Sequence, residues 1–192
     1  METLESARVL AETMTMIARS TERKAVALIS DMNQPLGCAV GNALEVREAI
    51  DTLHGHGPAD FYEHCMVVAS HMLVLGRKAP NQDQARRMAE HALADGRAWQ
   101  KFRELVQAQG GDVRFIDQPE NLPRAAVVET TPTPRAGWLT EINARIVGET
   151  SVTLGAGREK KSDPVDHSVG IVVHHKVGDK VEKGQPLFTV YA

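Results

Sequence analysis

Lys24-Ala-Val-Ala-Leu-Ile-Ser30, running into Asp31-Met-Asn-Gln-Pro-Leu-Gly37, decides the fold class. The first seven residues are a short, nearly continuous apolar run. That is the pattern of a strand covered on both faces, as in the parallel sheet of an α/β domain. Pro35 and Gly37 punctuate the turn that follows. Upstream, Ala7, Leu10, Met14 and Ile17 recur at helical spacing and predict a helix over residues 3–19. A helix leading into a buried strand is half of an α/β unit, and the expected pairing strand would lie before Met1.

Downstream, Ala43, Val46 and Ile50 line one face of a helix over 41–53, closed by His54-Gly-His-Gly-Pro58. Phe61, Cys65, Val68, Met72 and Leu75 predict a helix over 59–78 with those residues inward. Asn81 and Gln84 form a capping-box pattern for a helix over 82–95. Trp99, Phe102, Leu105 and Val106 predict the inward face of one more, stopped by Gly110-Gly111. The polar, proline-bearing stretch from Ile116 to Pro123 reads as a connector, giving domains 1–122 and 123–192. Beyond it the pattern turns to β, with strands expected over 125–130, 137–142, 151–154, 169–174 and 186–191. Turns are expected at Gly155-Ala-Gly157, Gly178-Asp179 and Lys183-Gly184.

Composition bounds the function classes. The 192 residues are 42% apolar and 24% charged, a globular balance with a core to bury. A net charge of -3 gives no electrostatic basis for a nucleic-acid partner or an anionic membrane surface. No stretch reaches the length of a membrane span, and the N-terminal helix has no signal-peptide pattern, so a cytoplasmic location is expected. Cys38 and Cys65 have neither metal-ligand nor disulfide-framework spacing and read as reduced, inert thiols.

Gly170-Ile-Val-Val-His-His-Lys-Val-Gly-Asp-Lys-Val-Glu-Lys-Gly-Gln-Pro-Leu-Phe-Thr-Val-Tyr191 resembles half of a barrel-sandwich hybrid, the fold of biotinyl and lipoyl carriers. The exposed lysine tip that such carriers modify is absent from this run. Two longer blocks carry a family resemblance. Asp31-Met-Asn-Gln-Pro-Leu-Gly-Cys-Ala-Val-Gly-Asn-Ala-Leu-Glu-Val-Arg-Glu-Ala-Ile50 is similar to a signature of pyrimidine-nucleoside and thymidine phosphorylases. Gly155-Ala-Gly-Arg-Glu-Lys-Lys-Ser-Asp-Pro-Val-Asp-His-Ser-Val-Gly170 resembles the same family's C-terminal signature. The resemblance implies an α/β fold: a partial parallel-sheet and helical lobe, then a small β-rich, barrel-sandwich-like C-terminal domain. It implies reversible phosphorolysis of thymidine or uridine to a free base and (deoxy)ribose 1-phosphate, with homodimers as the working form. Pro35-Leu36-Gly37 looks like the members that accept both nucleosides.

The same resemblance places the family's phosphate loop, and the groups that hold the pyrimidine, before the position matching Met1. No catalytic or substrate-binding residue is therefore expected within 1–192, and the isolated chain is expected to be inactive. Chemistry agrees: holding a phosphate dianion takes backbone N–H groups, hydroxyls and a lysine at a Gly-rich loop opening a helix. Gly155-Ala-Gly157 with Arg158, Lys160 and Lys161 is the nearest candidate, and reads instead as a charged hairpin turn. One site carries over in part. The resemblance implies a potassium-type cation held by the carbonyls of Leu36 and Ala39 and the carboxylate of Glu48, a hard oxygen set. His54, His56, His174 and His175 read as structural, the last pair because neighbours on a strand face opposite ways. The alternative expectation is a binding or scaffold module derived from that family without its chemistry.

Overall fold

The computed structural model describes residues 3–158 and 160–192. Its helices are α1 (Leu4–Ser20), α2 (Asn42–Leu53), α3 (Ala59–Leu75), α4 (Gln82–Ala94), α5 (Arg97–Ala108), the single turn α6 (Arg114–Asp117) and α7 (Ala144–Ser151). Its strands are β1 (Ala39–Val40), β2 (Val128–Pro132), β3 (Gly137–Trp138), β4 (Gly170–Val173), β5 (Lys180–Val181) and β6 (Pro186–Tyr191). The chain forms two compact units: residues Met1–Asp31 with Glu63–Ala92, and Met32–Tyr62 with Leu93–Ala192.

In the first unit, α1 starts at a capping box in which the Thr3 hydroxyl accepts the Ser6 N–H at 3.1 Å. None of its residues is buried, and the expected inward residues Leu10, Met14 and Ile17 are exposed. The segment read as a buried strand, Lys24 to Ser30, forms no strand and is exposed throughout. Continuous apolar runs become strands only between neighbours that supply ladder bonds and cover both faces. Among the described residues no strand pairs with it. On α3 the buried residues are Met66 and Ser70, whereas Met72 is exposed, so the buried stripe is not the one expected from Phe61 to Leu75. Asn81 caps α4 by accepting the Gln84 N–H at 2.9 Å. Arg86 forks onto both oxygens of Glu63 at 2.7 and 2.6 Å.

In the second unit, Trp99 of α5 lies 4.5 Å from His54 and 5.9 Å from Phe102, ring centre to ring centre. Leu105, expected inward, is exposed. A four-stranded sheet in the order β1-β4-β6-β2 is antiparallel at every pairing, and β3 pairs antiparallel with β5. Neither sheet of the described residues closes into a barrel, and neither contains a parallel pair. The four-stranded sheet is apolar at Ile171 and Val173 of β4, both buried, and Val181 of β5 is buried in the two-stranded sheet. Buried Thr189 is satisfied, its hydroxyl meeting Thr130 at 2.9 Å and the His174 ring at 2.8 Å.

The expected strand over 151–154 is a correction. Those residues end α7 and continue into one wide helical turn, Val152–Ala156. Asn143 caps α7 through the Ile146 N–H at 3.1 Å, and Arg145 pairs with Glu149 one turn on at 2.7 Å. The cap and the pair outweigh the strand preference of Val147, Thr150, Val152 and Thr153. Gly155-Ala-Gly157 is accordingly a helix end rather than a hairpin turn, with Gly155 at φ +110°.

Candidate functional site

The Pro35-Leu36-Gly37 turn feeds β1, and β1 feeds α2, all within the second unit. Crossing of two backbones fixes this junction. Gly41 and Gly170 lie so close that a Cβ on Gly170 would sit 2.3 Å from the Val40 carbonyl oxygen, and one on Gly41 2.5 Å from that of Val169. Both have positive φ, +148° and +155°, where a side chain is strained in any case. The His167 carbonyl accepts the Ala43 N–H at 3.0 Å, and the Asn42 amide donates to the Ala156 carbonyl at 2.8 Å. A strand–glycine–helix junction is where a phosphate could dock, but here the His167 carbonyl already takes the Ala43 N–H and the Glu45 carboxylate takes the Gly41 N–H at 3.1 Å. Gly155-Ala-Gly157 follows a helix C-terminus, whose dipole repels anions.

The polar groups of the turn divide between two sides. Glu48 of α2 reaches back, and its Oε1 accepts the N–H groups of Cys38 at 2.8 Å and Ala39 at 3.1 Å. Asp60, in the first turn of α3, accepts the Gly37 N–H at 3.2 Å. Lys176, from the β4–β5 connection, donates to the Pro35 carbonyl at 2.7 Å, to the Gly37 carbonyl, and to Asp60 at 2.9 Å. The Val177 N–H adds a bond to the Gln34 side chain at 2.9 Å. Peptide planarity explains the alternation, since each C=O opposes the next residue's N–H. N–H groups aimed at Glu48 send the Gly37 carbonyl to Lys176 and the Cys38 carbonyl to Val173, at 2.9 Å in the ladder.

Burial raises the Glu48 pKa; the two N–H bonds and Lys176 only partly offset it. For Asp60, burial also pushes upward, but the bond and charge of Lys176 and the N–H groups of Gly37 and Phe61 prevail and hold its pKa low. Burial, with Glu48 next, raises the Cys38 thiol, and burial raises Cys65, so neither is poised as a nucleophile.

Of the three residues expected around a cation, Glu48 is held against the turn and Ala39 is on the edge strand β1, opposite Val172. The Cys38 carbonyl bonds β4, and the Ala39 N–H is turned to Glu48. The Leu36 carbonyl opposes the Gly37 N–H and therefore points away from Asp60. These oxygens fit a hard monovalent cation by type. Asp60 and Lys176 carried no local signal in the sequence; the Lys-Val-Gly-Asp turn shows only that Lys176 precedes a tight turn. Among the described residues, no group of three or more His, Cys, Asp or Glu side chains could hold a metal ion. No helix of the described residues is long and apolar enough to cross a membrane. The cysteines are free.

Comparison with known proteins bears on the same residues. A family model described as glycosyl transferase family, a/b domain, matches residues 1–99, and one described as pyrimidine nucleoside phosphorylase C-terminal domain matches residues 138–192. Over all 192 residues the chain is 48% identical to a pyrimidine-nucleoside phosphorylase of Bacillus subtilis (strain 168) and 47% identical to one of Geobacillus stearothermophilus. It is 45% identical to one of Staphylococcus aureus (strain USA300). The whole chain is covered in each case, and it spans 44% of the length of each relative.

Proposed function

This chain belongs to the pyrimidine-nucleoside phosphorylase family of glycosyl transferases, and from that premise we propose that its residues serve reversible phosphorolysis of pyrimidine nucleosides. The products are a free base and (deoxy)ribose 1-phosphate. The observation that carries this reading is the similarity over all 192 residues; the turn that Glu48 buttresses, where we place a cation, agrees with it. In this reading residues 1–192 supply the cation turn and the β-rich segment, not the grip on phosphate or base. The first turn of α2 and the Gly155 loop are the candidate anion cradles here, and both are engaged or unfavourable as described.

A potassium-type cation would be held by the carbonyls of Leu36 and Ala39 and by Glu48. When bound, it would fix the turn's oxygens and neutralise charge beside the nucleoside site. Glu48 itself orients the turn through the Cys38 and Ala39 N–H groups. Lys24 to Ser30 is read as a strand of the complete enzyme's parallel sheet; Val26, Leu28 and Ile29, exposed by 47, 42 and 46%, support this. A domain boundary near residues 122 and 123 is supported by the two family matches falling on either side of it. A homodimer, a cytoplasmic location and a barrel-sandwich C-terminal domain belong to the same reading.

The test is spectrophotometric release of base from thymidine and uridine in phosphate. The 192-residue chain alone is expected to give none, and a polypeptide extended through the family's phosphate-loop region is expected to turn over both. Ordinary turnover by the 192 residues would overturn the division of labour.

A further inference from the structure

The three N–H bonds of one ammonium account for the other side of the turn. Lys176 is only 21% exposed along its side chain, and its Nζ meets three oxygens: the Pro35 carbonyl, the Gly37 carbonyl and Asp60 Oδ2. An ammonium has three donors and no acceptor, so this set saturates it. Two neutral carbonyls and one carboxylate are hard oxygen donors, the type that a free metal cation also takes. Asp60 also takes the N–H groups of Gly37 and Phe61.

We propose that Lys176 is a tethered monovalent cation: its ammonium, delivered from the β4–β5 connection, positions the Pro35-Leu36-Gly37 turn as a bound ion would. The consequence follows from peptide geometry. With the Pro35 and Gly37 carbonyls drawn to Lys176, and the Gly37 N–H to Asp60, the Leu36 carbonyl is left facing the other way. The turn thereby presents two opposed oxygen faces, one filled by the protein's own charge. Lys176 touches no reacting atom and acts through the turn, so it is a positioning residue. The assignment rests on the Lys176 contacts alone and holds whether or not Leu36, Ala39 and Glu48 take a cation.

Chemical rescue distinguishes this role from simple packing. In Lys176→Ala the lost segment corresponds to an n-propylammonium ion. Hydrogen exchange of the Gly37, Cys38 and Ala39 amides should lose protection by roughly 10- to 100-fold, the worth of bonds to a charged group. Propylammonium or ammonium chloride should restore most of it, and tetramethylammonium at equal ionic strength should not. Adding Asp60→Asn to Lys176→Ala should abolish the rescue; rescue that survives would place the ion elsewhere and overturn the assignment. Unchanged protection in Lys176→Ala, or a loss that no small cation restores beyond the salt control, would also overturn it. If Lys176→Ala does not fold, the unaltered chain decides. The Lys176 ammonium should then give a slowly exchanging nitrogen–proton signal by NMR, and exchange as fast as that of the exposed lysines would overturn the proposal.

Discussion

Replacing Glu48 separates its two roles, because Oε1 accepts two backbone N–H groups while the carboxylate as a whole supplies charge. Glu48→Ala leaves the Cys38 and Ala39 N–H groups without their acceptor in a half-buried place. An unsatisfied buried donor costs about 1–3 kcal/mol, so two at the lower, part-exposed end cost about 2–3 kcal/mol. Glu48→Gln keeps an oxygen for both donors and loses only the charge. Because burial disfavours the ionised form of Glu48 in the folded chain, that loss should leave stability unchanged or slightly raised. Both tryptophans, Trp99 and Trp138, lie in the second unit with Glu48, so intrinsic fluorescence in urea follows the correct unit. With an m-value of about 1–3 kcal/mol/M, Glu48→Ala should lower the midpoint by roughly 0.7–3 M. Glu48→Gln should stay within scatter of the unaltered chain. Equal midpoints for the two variants would refute the reasoning, since the N–H acceptor would then carry no weight.

Two further outcomes follow from the same geometry. Gly170→Ala drives a Cβ to 2.3 Å from the Val40 carbonyl oxygen and 2.9 Å from Gly41 Cα, backbone atoms that have no rotamer to swing away. Overpacking and positive-φ strain together should cost about 3 kcal/mol or more; Gly184→Ala, with φ +89° but open space, is the control, and equal urea midpoints would be inconsistent with the crossing. Asp60 has a folded pKa below its unfolded value, so its contribution is present above the unfolded pKa, near 3.9, and is lost as pH falls through the folded pKa. Glu48 has the opposite sign: its raised folded pKa favours the native state at low pH, and that contribution is lost as pH rises through the folded value. Asp60→Asn should therefore flatten the acid limb of urea stability between pH 5 and pH 2, on the order of the range set by ordinary and depressed carboxylates. A limb that persists unchanged would assign it to other groups.

What could be read in advance divides by the range of the interaction. α4 and β6 were legible because capping at Asn81 and the Pro186–Tyr191 pattern are local. Residues 151–154 were misread because Val152 and Thr153 matched a strand, and α7 before them was missed because its signals are single: Asn143 as cap and Arg145 four residues before Glu149. Glu48 was found through the block that surrounds it. Lys176 and Asp60 were not, since Lys176 meets Pro35 across 141 residues, and no periodicity spans that distance. A lysine before a Gly-Asp turn looks the same whether it is solvated or saturated by three oxygens.

Lys24 to Ser30 shows a different limit: the pattern reads as a buried strand, and the described residues form none there. Fully burying a Val, Leu or Ile contributes about 1.5–3 kcal/mol. Val26, Leu28 and Ile29 are each exposed by nearly half, so on the order of 2–4 kcal/mol of burial is unrealised in the segment. An apolar run held in solvent by its own covalent neighbours is not a stable end state for a sheet-forming sequence. Among the described residues no strand pairs with the run, so its apolar pattern alone does not make it a strand. Periodicity specifies what a segment can become, and the availability of neighbours decides whether it does so. The turn at Pro35 to Gly37 is the converse case: its ordering partners, Glu48, Asp60 and Lys176, all lie within the second unit, so its geometry is set by the chain itself.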